Sequence, residues 1–435
     1  MRYFALLLLL VGPVACTELT SVPGDCPTFC PSGTIESKDS IFTDIIVRDS
    51  SYRGYVQGYQ AEAMTAADIP GVIDSRAFFV TNKMSTDTTL AGDSTPIPYF
   101  VDSARLRLIM VHRDTLATNL RLKLYAIPVT SDSTSTFGSL QPYFAGPVVD
   151  SFNISAILAL PEIHDSAGER LFGDSVFRTD SAGHVITTPD SGRTLTLLWH
   201  LDSLQVPLVP ADSGQLGFGL RVAADSLATA ALGTLESGGN AVVSWYFHFT
   251  KPDTVTSTPD SVISEVAPRA AMFDSFVFDR TIQPLDSNLT VGGVPSARSL
   301  LRVDLPPWMR DSIDVVRATL ILVPVAPVAG APADSFELRG LPVLTDVGAK
   351  SPLTGILTGK TAIRLNSDSA DTVRMELTDL VRNWALDSTQ SRSVMLGQVP
   401  EAASYSEIRF YSSRSPAFRP ALHITYVKRY PFGTP

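Results

Sequence analysis

Residues 407–427 read EIRFYSSRSPAFRPALHITYV, and the fold turns on this stretch. Ile408 and Phe410 alternate with Glu407 and Arg409, while Leu422, Ile424 and Tyr426 alternate with Ala421, His423 and Thr425. A side-chain period of two belongs to strands with one buried face. Residues 412–420 between them carry Ser, Arg and two prolines, residues that suit a loop because Pro donates no ladder hydrogen bond and fixes its own φ. The pattern predicts a hairpin whose second strand turns Leu422, Ile424 and Tyr426 inward.

The same alternation recurs upstream. Leu106, Leu108 and Met110 oppose Arg105 and Arg107, and Leu120, Leu122 and Leu124 oppose Arg121 and Lys123, which predicts two antiparallel neighbours. A long polar insertion, roughly 130–194, separates them from strand-like runs at 194–199, 216–222 and 242–249. Helix-period stretches are nearly absent, so the predicted class is all-β. With 435 residues, two cores are expected. KPDTVTSTP, residues 251–259, has the Pro, Thr and Ser content of a linker. Because the strand pattern after it repeats the one before it, the expectation is two tandem antiparallel β-sandwiches of jelly-roll type, 39–250 and 260–428, with a tail at 429–435.

The front of the chain predicts an address. Arg2 precedes an apolar run from Ala5 to Val11, too short to span a bilayer, and then Gly-Pro-Val-Ala before Cys16. Residues 1–15 therefore read as an export signal similar to that of bacterial lipoproteins, with Pro13 where that motif usually has Leu. The expected partner is the outer membrane, through a lipid on Cys16. Cys26 and Cys30 lie in the tether 16–38, and in an oxidising compartment they predict a small-loop disulfide.

The net charge is −10 and the mature chain has no Lys/Arg cluster, which argues against nucleic acid as a partner. Asp-Ser recurs about twenty times, mostly where apolar alternation stops. Such pairs accept hydrogen bonds from amides just downstream and nucleate turns. Structural calcium is the alternative role, although no Asp-x-Asp-x-Asp-Gly loop is present; no other cofactor is expected.

The second half resembles a known family. Asp274-Ser-Phe-Val-Phe, Leu289-Thr-Val-Gly-Gly, Ser299-Leu-Leu-Arg-Val-Asp-Leu-Pro, Leu377-Thr-Asp-Leu-Val-Arg-Asn-Trp and Arg419-Pro-Ala-Leu-His-Ile-Thr-Tyr occur in the order seen in the DNRLRE domain. That bacterial surface jelly-roll module has members grouped with carbohydrate-binding modules, and the resemblance covers about 260–427. Carbohydrate binding is what it implies.

Residue chemistry adds detail. Thr378 is expected to cap a helical turn that presents Leu380, Val381 and Trp384 on one face, with Trp384 in the core. Arg414 and Arg419 suit ion pairs or carbonyl contacts within their loop, or contact with an acidic glycan. Trp308, Tyr411 and Arg414 are the candidate ligand-binding residues, since exposed rings stack on sugar faces. The six histidines form no His-x-x-x-His pair and there is no Gly-x-Ser-x-Gly elbow, so no catalytic residue is expected. The expected function is a non-catalytic cell-surface lipoprotein, structural or adhesive; the alternative is attachment to extracellular glycans or another surface protein.

Overall fold

The computed structural model describes residues 36–54, 56–85, 87–89, 95–168, 170, 175–189, 194–201, 214–252, 260–279, 285–325, 335–364, 372–403 and 405–429. Cys16, Cys26 and Cys30 lie outside these. The chain is all-β: antiparallel strands form two sandwiches, and the helices among the described residues are short.

In the first sandwich, Phe100–Arg113 is long enough to serve two neighbours on one edge. Val242–Lys251 pairs with its first half and Ala228–Gly233 with its end, while Leu195–Leu201 takes the opposite edge. Ile73–Thr81 does the same for the facing sheet, holding Ser261–Asp279 on one edge and Ala63–Ile69 and Gly217–Ala223 on the other. Ser261–Asp279 then pairs with Val242–Lys251, and Ala228–Gly233 with Ala63–Ile69. Six strands thus pair in a closed circuit around a core that includes Leu106, Leu108, Trp199, Phe218 and Trp245. The insertion adds the outermost strands, Ser175–Thr179, Val185–Pro189 and Asp150–Asn153. It also supplies the helix Phe137–Phe144, which lays Phe144 over Gly219 so closely that an added Cβ would sit 2.6 Å from the ring.

The second sandwich packs a four-stranded sheet against a seven-stranded one. The order in the first is Ser37–Phe42, Ala421–Lys428, Ile313–Leu322, Val373–Glu376. In the second, Ala297–Val303 is flanked by Ser393–Val399 and Ile46–Arg53, and Glu407–Phe410 pairs with Leu289–Gly292. Leu320, Leu338, Leu396, Phe410, Leu422 and Ile424 share the core. Helix Thr378–Leu386 stops one end with Leu380, Val381 and Trp384 buried, as the spacing predicts. Arg382 of this helix donates to the Val315 and Val316 carbonyls at 2.7 and 2.8 Å. Thr378 does not cap the helix. Its hydroxyl accepts from the Ala318 amide at 2.8 Å and donates to Glu376, and the Glu376 carboxylate takes the Thr378 amide at 3.3 Å.

Both predicted neighbour pairs are corrected. Glu407–Phe410 lies in the seven-stranded sheet and Ala421–Lys428 in the four-stranded one. Likewise Phe100–Arg113 and Arg121–Ala126 do not pair: along the twelve-stranded sheet of the first sandwich Ala228–Gly233, Ala63–Ile69, Ile73–Thr81 and Gly217–Ala223 lie between them. Alternation identifies a half-buried strand but not which sheet it joins, because either side of a sandwich offers the same apolar interior. The inward faces are as expected: Leu422 and Ile424 are buried, and Tyr426 is partly buried against the same core.

The domain boundaries are corrected as well. Ser37–Phe42 and Ile46–Arg53, expected in the tether and first sandwich, pair in the second. Ser261–Asp279, expected to open the second, is central to the first. Of the linker expected at 251–259, residues 253–259 lie outside the described residues; the strands before and after it are in register at Lys251 and Ser261. The chain therefore starts the second sandwich, leaves to build the first, and returns. At the crossing, Ala61, Ile69, Ile73 and Phe276 pack with Val294, Ala402 and Tyr405 in one buried cluster. The Thr65 hydroxyl donates to the Ala402 carbonyl. Beside this seam Arg53 and Glu407 form a buried ion pair at 2.7 Å.

The Asp-Ser pairs do turn work. Asp132, Asp165, Asp286 and Asp387 each accept the amide two residues on, at 2.8–2.9 Å.

Candidate binding site

The outer face of the four-stranded sheet follows from the inner one. With Leu422 and Ile424 inward, period two turns His423 and Thr425 out, and the neighbouring strands add Asp39, Arg317, Thr319, Arg374 and Glu376. Lys360 reaches over from the edge of the other sheet. Together they line a cleft of about 440 Å³, within the size range of small-molecule sites. A register shift between Val315 and Arg317, on the strand beside the last one, is what brings Arg317 opposite Thr425.

The hydrogen bonding is ordered along the cleft. At one side, His423 Nε2 lies 2.7 Å from Asp39 Oδ2 and the Thr425 hydroxyl donates to Oδ1 at 2.8 Å. The His423 ring and then the Thr425 hydroxyl hold the Asp39 carboxyl below its ordinary value, so it is ionised. At the other side, Arg317 Nε donates to Glu376 at 2.9 Å. Burial pulls the Glu376 carboxyl up, but the Thr378 hydroxyl and the Arg317 guanidinium outweigh it and hold it low. Lys360 sits 3.7 Å from Glu337. Arg374, on the exposed side of its strand, has no ion pair or side-chain hydrogen bond among the described residues. Three cationic side chains thus face two carboxylates, with no Phe, Tyr or Trp in the lining. The arrangement is suited to hydrogen bonding and charge pairing rather than to ring stacking.

The residues singled out from sequence lie elsewhere. Trp308 sits on the short helix Pro307–Asp311, 38% exposed, with Phe42 and Tyr426 at 6.1 and 5.6 Å. Tyr411 is half-buried, its ring 5.4 Å from the exposed Phe418. Arg414 is engaged within the fold, donating to the Ser287 carbonyl at 3.2 Å and lying 3.4 Å from the buried Asp49. Asp49 also accepts the Ser413 amide at 2.5 Å, and Arg419 donates to the Ser415 carbonyl at 2.7 Å. Both arginines brace the loop they border. The cleft went unseen because its two halves are 384 residues apart in sequence at Asp39 and His423. The outward His423 and Thr425 were its only local signal.

Among the described residues, no group of three or more His, Cys, Asp or Glu is placed to hold a metal ion. No helix among them is long and apolar enough to cross a membrane. No protein-family model matches this chain, and no curated protein does. Among solved structures, the Macrobrachium rosenbergii nodavirus is matched at a TM-score of 0.13 and 10% identity, over 96% of this chain and 99% of that one. A likeness at that level carries no argument.

Proposed function

We propose that this chain is a non-catalytic, lipid-anchored protein of the bacterial outer membrane or cell surface that adheres to acidic extracellular glycans through the cleft. The supporting observation is the lining itself. Arg374 is open, Arg317 and Lys360 stand beside it, and Thr319, Thr425 and His423 add hydroxyl and imidazole groups able to bond sugar hydroxyls. A carboxylated or sulfated saccharide supplies the charge this lining prefers. The resemblance to the DNRLRE domain supports the same reading over 289–427, since its first motif, at Asp274, belongs to the other sandwich's sheet.

On a glycan array, the protein is expected to bind carboxylated or sulfated glycans and not their neutral counterparts, with affinity falling as salt rises. Arg374→Glu combined with Arg317→Glu replaces charge-assisted hydrogen bonds worth about 1.5–3 kcal/mol each with repulsion, so binding should weaken by at least about tenfold. Binding that is unchanged in this variant, or indifferent to glycan charge, refutes the reading. The anchor is tested separately: Cys16→Ser should move the protein from the membrane fraction to the soluble one, and continued membrane attachment would exclude lipidation at that residue.

A further inference from the structure

The first sandwich is closed by backbone pairing through Val242–Lys251 with Ser261–Asp279 and through Ala63–Ile69 with Ala228–Gly233. Among the described residues its other flank is not. There the sheet path ends in two terminal strands, Asp150–Asn153 on one side and Ser175–Thr179 on the other. Past the strand Asp150–Asn153 the chain touches Ser175–Thr179 through the Ile163 amide, which donates to the Phe177 carbonyl at 3.0 Å, and through Arg178 Nε, which donates to the Leu160 carbonyl at 2.9 Å; the strand Asp150–Asn153 itself is tied across by a side chain. His184, at the turn between Ser175–Thr179 and Val185–Pro189, is 4% exposed. Its Nδ1 lies 3.1 Å from Asp180 Oδ2 in its own turn, and its Nε2 lies 3.1 Å from Asp150 Oδ2 on the edge strand of the facing sheet. Trp199 Nε1 donates to the same Asp150 oxygen at 2.7 Å, and Phe152 stacks on the imidazole at 5.0 Å.

The chemistry of the ring decides its state. A neutral imidazole has one N–H and one lone pair, whereas an ionised carboxylate only accepts. Both ring nitrogens here face carboxylate oxygens, so only the imidazolium satisfies both contacts; the neutral ring would aim a lone pair at an anion. We propose that His184 is a proton-operated clasp, holding the two sheet edges together when protonated and releasing the insertion flank when it loses its proton. The groups facing the ring are Asp180 from its own turn, Asp150 and Phe152 from the edge strand, and Trp199 from Leu195–Leu201; the two carboxylates are the charged ones. Burial pulls the imidazole down, but the Asp150 hydrogen bond and the charges of Asp180 and Asp150 outweigh it and raise it above the ordinary 6.5. For Asp150, burial pulls the carboxyl up, and the bonds from His184 and Trp199 outweigh it and hold it low. A raised folded value means that the clasp's contribution is complete below the ordinary histidine value and is lost as pH rises through the folded one.

Hydrogen exchange of the full chain, followed by mass spectrometry between pH 5.5 and 9 and corrected for intrinsic exchange, tests this. Peptides covering 150–153 and 180–189 should lose protection above the ordinary histidine value, by up to about tenfold per pH unit, while 421–428 in the second sandwich holds. His184→Gln should flatten that profile, and Asp180→Asn should move its inflection to lower pH. A flat wild-type profile, or one unaltered in His184→Gln, overturns the proposal. If His184→Gln fails to fold, the wild-type His184 ring and Trp199 indole are followed together by NMR. An indole signal that shifts with the ring supports the clasp, and one that stays fixed as the ring deprotonates overturns it.

Discussion

Cutting the chain between residues 252 and 260 is expected to give two fragments that fail to fold alone and assemble when produced together. Fragment 36–252 would lack Ser261–Asp279, which pairs with both Val242–Lys251 and Ile73–Thr81 and buries Ala271, Phe276 and Val277. It would also carry Ser37–Phe42 and Ile46–Arg53 without their partners. Each fully buried large apolar side chain contributes about 1.5–3 kcal/mol, against a net stability of about 5–15 kcal/mol for a domain. Losing two of them, with two sheet edges left open, removes most of that margin and exposes edges prone to aggregation. Limited proteolysis and size-exclusion chromatography of each fragment and of the mixture check this. A cooperative melt from fragment 36–252 alone would mean that the strand exchange does not hold the first sandwich together.

A chain ending at Arg419 is expected to lose the second sandwich while the first keeps its melt. Ala421–Lys428 lies between Ser37–Phe42 and Ile313–Leu322, so its removal breaks two ladders of the four-stranded sheet. It also takes Leu422 and Ile424 out of the core, about 3–6 kcal/mol by burial alone. His423 and Thr425 leave with it, so glycan binding should vanish even if a collapsed remnant persists. Calorimetry showing two intact transitions would contradict the sheet order.

Much of the fold was legible. Period-two alternation located the strands at 104–111, 407–410 and 421–426 and their buried faces, and the i, i+1, i+4 apolar spacing located the Trp384 helix. Pairing was not legible, for a physical reason. A strand's own side chains state which face is buried, while its partner can lie hundreds of residues away, as Ala421–Lys428 does from Ser37–Phe42. Thus the segment 412–420, read as a hairpin turn, carries the chain from one sheet to the other. The segment 251–259, read as a linker from its Pro and Thr content, joins two paired strands, because hairpin connections and linkers share a composition. The candidate site suffered most. Trp308, Tyr411 and Arg414 had the right side-chain chemistry for sugars, but Arg414 is committed to Asp49 and Ser287, and the rings pack on Phe42, Tyr426 and Phe418. The cleft needs Asp39 beside His423, a juxtaposition that no local pattern encodes.

That juxtaposition also sets the order of assembly. A polypeptide that emerges from a ribosome or an export channel N-terminus first delivers residues 37–53 long before 421–428, so the earliest strands to appear are among the last to find partners. Closing a loop of that length in an open coil costs about 5 kcal/mol of chain entropy. The first sandwich shortens the problem. Residues 63–279 are contiguous and can complete their circuit of pairings without either terminus, and once they have, the seam at Ala61, Ile73 and Phe276 holds the two ends of the unfinished sandwich side by side. The inserted body thus acts as a jig for the body that surrounds it.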